Sequence, residues 1–463
     1  MRFLAGAVSL LLALLALLAP ALWNGYPISF HDTGGFIARL FENEPGFGRA
    51  TPYGLFLDGL YWHLSFWPAI VVQSLIVIGL VAETGRSLLA LRGNRLALLT
   101  GAGTLLLAAI TGISWYTSQL LPDLAAATAV LALFLLIEGR EGRSLVVTIL
   151  LGLVVILGAA SHTGTVALLL GLVLYKALLI AGARLHAPLR HWSRRTTWRL
   201  GAGGLALALG VLTVPLSNQA LYGQFRFTPG GDIFLFGRLV QDGIASRFLA
   251  DRCPDPAFKL CDYQAELYEP DGSQRNNDSF LWWGGSPLYK IGGWEGAGPE
   301  LAQITRESLV AYPGLHLAAA WRAFVEQLGL IATGDGLNET HWHTQWILEQ
   351  YLPQEVPDFL AARQRQKDFP FEALNLVHIP VGFAAFAALP FLAFVSFRRG
   401  RAGAGRFTAF VFVALIGNAF ICGVLSNPHD RYENRLIWLA LLGCIVACLS
   451  LWRGRKLTNN QLD

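Results

Sequence analysis

Apolar runs of about 20 residues, repeated along most of the chain, restrict its fold more than any other feature. A helix crosses a hydrocarbon core about 30 Å thick in about 20 apolar residues. The backbone inside that core must satisfy its own hydrogen bonds. The runs lie near 3–23, 66–85, 95–113, 120–138, 143–161, 163–183, 200–217, 374–396, 408–425 and 435–452. They predict an all-α polytopic membrane protein with about ten transmembrane helices and a mainly helical extracytoplasmic domain. Composition agrees, with 54% hydrophobic and 14% charged residues and a mean hydropathy of +0.47; soluble domains carry about 25% charged residues. The net charge of +4 is small, and the arginines flank apolar runs, so no nucleic-acid partner is expected. The first run has one basic residue ahead of it and "LAPALW" is a poor cleavage site, so it reads as a retained span and not a signal peptide.

Sidedness follows from the arginines, because short loops rich in Lys and Arg stay in the cytoplasm. With a cytoplasmic N-terminus, the inner segments are "MR", "GRSLLALRGNR", "GREGR", "RLHAPLRHWSRRTTWR", "RRGRAGAGR" and "RGRK". These hold 18 Lys+Arg, while the short outer segments hold four: Arg39, Arg49, Arg431 and Arg435. Residues 307–334 are apolar enough to be weighed as a further span, but a crossing there would turn the last two basic segments outward. Arg322 and Glu326 are four apart, which suits a helix lying at the interface. The chain then divides into an N-terminal transmembrane module over 1–217, an extracytoplasmic domain over 218–373 and a C-terminal transmembrane module over 374–463. The first module includes a helical first outer loop over 24–65. A bacterial inner membrane fits, with both termini cytoplasmic and the large domain periplasmic. Within that domain helices are expected near 234–250 and 301–330. Cys253 and Cys261 in "CPDPAFKLC" suit a local disulfide outside the cytoplasm. The aromatic stretch "LWWGGSPLYKIGGWEG" fits a sugar-stacking platform, a small core or a membrane-interface belt.

The polar motifs collect on the outer face. They are "HDTGG" (31–35), "SWYTSQLLPD" (114–123), "SHTGT" (161–165) and "SNPHDRYENR" (426–435). Polar groups at membrane depth are expensive and tend to mark function. Each motif also has a plainer reading. Asp32 and Asp123 suit helix N-caps, His162 suits a turn, and Arg431 and Arg435 suit interfacial anchors. His341 and His343 in "THWHTQW" form a weak metal signal without Cys or HExxH nearby. "NET" (338–340) fits a glycosylation sequon. The plainer readings account for the loops singly but not for their shared side. Gly-rich phosphate loops and nucleotide fingerprints are missing, which argues against a cytosolic nucleotide-sugar donor.

The arrangement resembles the GT-C superfamily of membrane glycosyltransferases, which includes protein O-mannosyltransferases and aminoarabinose transferases. The resemblance rests on Asp32 in "FHDTGGF" just after the first span, on the helical loop "TPYGLFLDGLYWHL", on "SQLLPDLAAATAVLALFLL", and on a soluble domain late in the chain. It covers about 1–220 and, more loosely, the C-terminal spans. It implies transfer of a sugar from a polyprenyl-phosphate donor, with inversion, to a glycan, lipid or protein acceptor on the outer face. Asp32 would be the general base, its pKa raised toward neutrality by partial burial. Arg431 and Arg435 would hold the leaving phosphate. His429 or His162 would assist, His31 would adjoin the substrate, and Asp123 would orient the acceptor or support a metal. Thr33 stands where an Asp or Glu is frequent in the family, and a divalent metal is left open as a cofactor. Three other readings compete with this one. The first is a polysaccharide ligase or polymerase acting on lipid-diphosphate-linked glycans. The second is a transporter or flippase, which would place charges at mid-span; Glu83 and Lys176 are the main charges within the spans, both toward the inner ends. The third is a purely structural or assembly role.

Overall fold

The computed structural model describes residues 2–185 and 194–459, with side chains described over 4–182 and 196–453. The middle of the basic segment 184–199 therefore lies outside the described residues. The first half of the chain comprises α1 (Arg2–Asn24), α2 (Thr33–Ile37), α3 (Thr51–Tyr61), α4 (Trp67–Leu89), α5 (Gly93–Ile110), α6 (Ile113–Thr117), α7 (Asp123–Glu138), α8 (Leu145–Ser161), α9 (Thr163–Leu185) and α10 (Arg194–Tyr222). Shorter helices follow: α11 (Gly231–Gln241), α12 (Ile244–Arg252), α13 (Asn277–Trp282), α14 (Pro287–Lys290), α15 (Gly293–Gly296), α16 (Gly298–Ala311), α17 (Pro313–Gly329), α18 (Trp342–Tyr351) and α19 (Val356–Ala361). The chain ends in α20 (Phe371–Arg398), α21 (Ala402–Leu425) and α22 (Asp430–Asn459). No strand occurs among the described residues, where two isolated bridges join Ile28 to Gln119 and Tyr268 to Gln274.

The protein is an all-α polytopic membrane protein. Among the described residues eight helices are long and apolar enough to cross a bilayer: Leu4–Asn24, Trp67–Leu89, Gly93–Ile110, Thr163–Gly182, Thr196–Tyr222, Phe371–Arg398, Ala402–Leu425 and Asp430–Arg453. Leu145–Ser161 is apolar but shorter. The remaining expected span, near 120–138, is α7, whose 16 residues reach only about 24 Å at 1.5 Å per residue. Pro122 delays its start. Every residue from Asp123 to Ile137 is buried, because a helix apolar all round has no face to offer solvent and sits at the bundle centre. It packs against α4, α8, α10 and α22.

The chain outside the bundle builds two separate cores. Residues Ile233 to Ala319 bury their apolar side chains among themselves, with Phe236, Phe248 and Phe280 at the centre. Residues Leu337 to Phe371 instead pack with the loop after α1, around Tyr26, Ile28, Tyr53 and Trp115. The expected helix over 301–330 is two, α16 and α17, because Tyr312 leaves helical geometry and Pro313 starts the next helix. α17 rests on α21, where Gly423 lets the Ala323 carbonyl approach; a Cβ there would meet it at 2.6 Å. Cys253 and Cys261 are joined by a disulfide.

Candidate functional site

Two non-helical segments are strapped together at one end of the bundle. The Ile28 amide donates to the Ser118 carbonyl and the Leu120 amide to the Ile28 carbonyl, both at 2.9 Å. Thr33 Oγ1 donates to the Leu120 carbonyl at 3.0 Å and accepts from the Phe30 amide at 2.9 Å. The position where the resemblance leads one to look for a second acid is thus a strap. It holds the Asp32 segment against the segment that delivers Asp123. From the other side α2 abuts α18. The Gly34 amide donates to Thr344 Oγ1 at 3.0 Å, and a Cβ on Gly34 would lie 2.7 Å from Thr344 Cα.

Asp32 occupies the N-cap position of α2 but makes no side-chain cap hydrogen bond. Its carboxylate is turned to two guanidiniums instead. Oδ1 is ion-paired with Arg49 Nη2, and Oδ2 lies 3.8 Å from Arg431 Nη1. Burial alone pushes the carboxyl up, but Arg49 and Arg431 outweigh it and hold it below the ordinary carboxylate range. This corrects the expectation of a pKa raised toward neutrality, and the reason is the pair of fixed cations. Arg49 lies along Gly35 and over the Trp282 ring, 4.9 Å from its centroid. Arg431 sits over the rings of Phe30 at 4.5 Å and Tyr432 at 4.9 Å, and donates to Tyr432 OH at 3.2 Å.

Arg431 and Arg435 are four apart at the start of α22 and share a face toward α7. Arg435 is fully buried at 1% exposure and donates to Asp123 Oδ1 at 2.6 Å. It is therefore no interfacial anchor, and Asp123 makes no cap hydrogen bond, since Pro122 holds the N-cap position. Removing one partner of such a buried pair costs about 3–5 kcal/mol, because the other charge is left stranded. Next to this pair Asn418 Nδ2 donates to Glu433 Oε2 at 2.8 Å. Asp123, Arg431, Phe30, Tyr116 and Asp335 line one cleft, with about 260 Å³ of space free of protein atoms including its open mouth.

The remaining expected residues are placed less centrally. His162 ends α8, and its Nδ1 accepts from the Gly164 amide at 3.1 Å, so the turn reading of this residue accounts for its contact. Burial, reinforced by Arg435, pushes its pKa down to about 4, so it is neutral; Asp123, Arg431 and Asp32 also act on it. His31 Nε2 lies 2.6 Å from Glu339 Oε2, and its ring lies 4.8 Å from that of His341. His429 stands at the rim, 3.5 Å from Asp335 and 3.8 Å from Asp278. Asp335 in turn accepts from the Arg431 amide at 3.3 Å.

Sequence reasoning counted Arg49 as a charge but gave it no place in the site, and it passed over Asp335, Tyr116 and Glu433. The available signal for Arg49 was its outer location between Gly48 and "ATPYG", on a loop with few other cations. Among the described residues no three His, Cys, Asp or Glu side chains gather as metal ligands. Of the acids lining the cleft, Asp123 already holds Arg435 and Asp335 faces His429, and Asp32 beside it holds Arg49. That donor set does not fit a divalent cation. His341 meets Ser29 Oγ and the Gly336 carbonyl, both at 3.0 Å, and is not turned to His343 as a shared ligand.

A second charged cluster lies at the far end of α7. Glu83 faces Arg86, Arg140 and Arg143 at 3.4–3.6 Å, and Glu138 pairs with Lys176 and, at 2.8 Å, with Arg406. The charges within the spans, Glu83 and Lys176, are thus engaged in ion pairs. No protein-family model, curated protein or solved structure matches this chain.

Proposed function

We propose that this chain is an integral-membrane glycosyltransferase of GT-C type, moving a sugar from a polyprenyl-phosphate donor to an acceptor on the outer face of the membrane. The observation that carries the reading is the Asp32 carboxylate set between Arg49 and Arg431 beside a cleft lined by Asp123. Glycosyl transfer to a hydroxyl needs what is present: one carboxylate for the proton and fixed positive charge for a leaving phosphate.

In this reading α7 and α8 complete ten spans, and both termini are cytoplasmic. The large domain is periplasmic, in a bacterial inner membrane. The disulfide between Cys253 and Cys261 supports an oxidising side for that domain. The basic cluster around Glu83 and Glu138 suits the cytoplasmic end. The acceptor oxygen attacks the anomeric carbon as the bond from that carbon to the phosphate oxygen breaks. The bond's electron pair leaves with the polyprenyl phosphate, the acceptor proton passes to Asp32, and the anomeric centre inverts. The guanidiniums of Arg49 and Arg431 take up the charge that grows on the phosphate. Asp123 and Arg435 neutralise each other beneath and hold α7 to α22.

The test uses the full chain in lipid nanodiscs with a panel of polyprenyl-phosphate hexoses and pentoses, reading release of polyprenyl phosphate. Asp32→Asn is expected to lose about 10²–10⁴ of the rate while melting as the wild type does. A variant that keeps its rate, while Arg431→Gln loses it, would replace this reading by a ligase or polymerase using cations alone.

A further inference from the structure

We infer that Asp32 stands in for the donor phosphate: Arg49 and Arg431 are the phosphate-binding pair, and an incoming lipid-linked phosphate takes both guanidiniums from the carboxylate. The inference rests on the transferase reading and adds an order of events to it.

Three observations carry it. First, one carboxylate serves two cations. Arg435 has Asp123 to itself, while Asp32 alone is set between the guanidiniums of Arg49 and Arg431. Two guanidiniums sharing one carboxylate leave room for a second anion on the same pair. Second, Arg431 has donors to spare. Of its five N–H groups one is given to Tyr432 OH at 3.2 Å, and its distance of 3.8 Å to Asp32 is too long for a hydrogen bond. It also lines the cleft. Third, Arg435 is not free for this duty. It is fully buried on Asp123, and to turn it toward a ligand would strand that carboxylate.

Carboxylate and phosphate present the same oxygen pattern to a guanidinium fork, so one can substitute for the other. A donor phosphodiester brings one negative charge and two unesterified oxygens of its own, so the two arginines need no longer share a single carboxylate. Once they bind the phosphate, Asp32 keeps its burial but loses the cations that hold it ionised. It then becomes a better proton acceptor, and only when donor is present. Asp32 is unmasked by the molecule whose chemistry it serves. Donor binding therefore precedes proton transfer by necessity.

Binding separates this from a carboxylate that merely contacts the donor. The probe is a long-chain polyprenyl monophosphate added to the full chain in nanodiscs, with the matching polyprenol and inorganic phosphate as controls. Removing the internal competitor is expected to tighten binding: Asp32→Asn and Asp32→Ser should bind the probe about tenfold more strongly than wild type, while Arg49→Gln and Arg431→Gln bind it about tenfold more weakly. Tight binding of inorganic phosphate as well would make the site a general phosphate cradle; binding of polyprenyl phosphate alone would add the lipid tail to recognition. Either result supports the exchange. In the wild-type chain the probe should also raise labelling of Asp32 by a hydrophobic carbodiimide, which attacks protonated carboxyls. Equal or weaker binding by both Asp32 variants, with labelling of the wild type unchanged, overturns the exchange but leaves the transferase reading standing. If the wild type and every variant fail to bind polyprenyl phosphate, the donor assignment itself falls.

Discussion

Arg431 and Arg435 stand one helical turn apart and yet do different work. Arg435 is locked in a buried pair with Asp123, and Arg431 is held between rings with donors to spare. Charge type and spacing made both look like phosphate ligands; only burial distinguishes them. The histidines differ from expectation in a related way. His162 and His341 are both pushed down to about 4, first by burial, and so are neutral in the fold. Unfolded, each takes up its proton near pH 6.5. Between about pH 6.5 and 4 the unfolded chain binds more protons, so stability is fully present above this window and is lost as pH falls through it. Thermal unfolding followed from pH 7.5 to 4.5 should show that decline. His162→Gln and His341→Gln should each flatten it, and a slope unchanged by both would show that other groups set the acid sensitivity.

Among the elements, α2 has the strictest placement. It is five residues long, wholly buried, and meets α18 at Gly34. So short a helix has little stability of its own, so its orientation comes from these contacts. Gly34→Val should cost about 1–3 kcal/mol through overpacking. It should also lower transfer activity more than its loss of melting temperature explains, because Asp32 begins this helix. Activity in proportion to the folded fraction alone would show that α2 does not position the carboxylate. Nearby, Trp282 and Trp294 stack with ring centroids 5.1 Å apart and connect to Asp32 through Arg49. The aromatic stretch that allowed three sequence readings thus abuts the site, with Trp282 half-exposed.

At the scale of the molecule, the two charged clusters cap opposite ends of α7. One contains Asp123 and the other Glu138, with nothing but apolar residues and Thr128 between them. This is the arrangement expected where a bilayer lies between two aqueous phases. In the proposed topology a reporter inserted near residue 300 should lie outside the cytosol, and reporters at both termini inside. A cytosolic signal near residue 300 would remove the basis for placing the site on the outer face.

The membrane class, the helical segments and the gathering of acids and arginines into a few loops were legible in the sequence. Hydropathy and chain length constrain those directly: a run of 20 apolar residues has few alternatives in water or lipid. Which cation meets which acid was not legible. Periodicity says which side of a helix is buried, but it says nothing of how far one helix slides or turns against another. Arg49 reaches Asp32, and Asp123 receives Arg435, because the Ile28 bridge and the Thr33 strap dock the first loop on the segment before α7, while α22 packs along that helix. Those contacts join residues remote in the chain, so only the folded molecule decides whether Asp32 is a free carboxylate or one already held by two arginines.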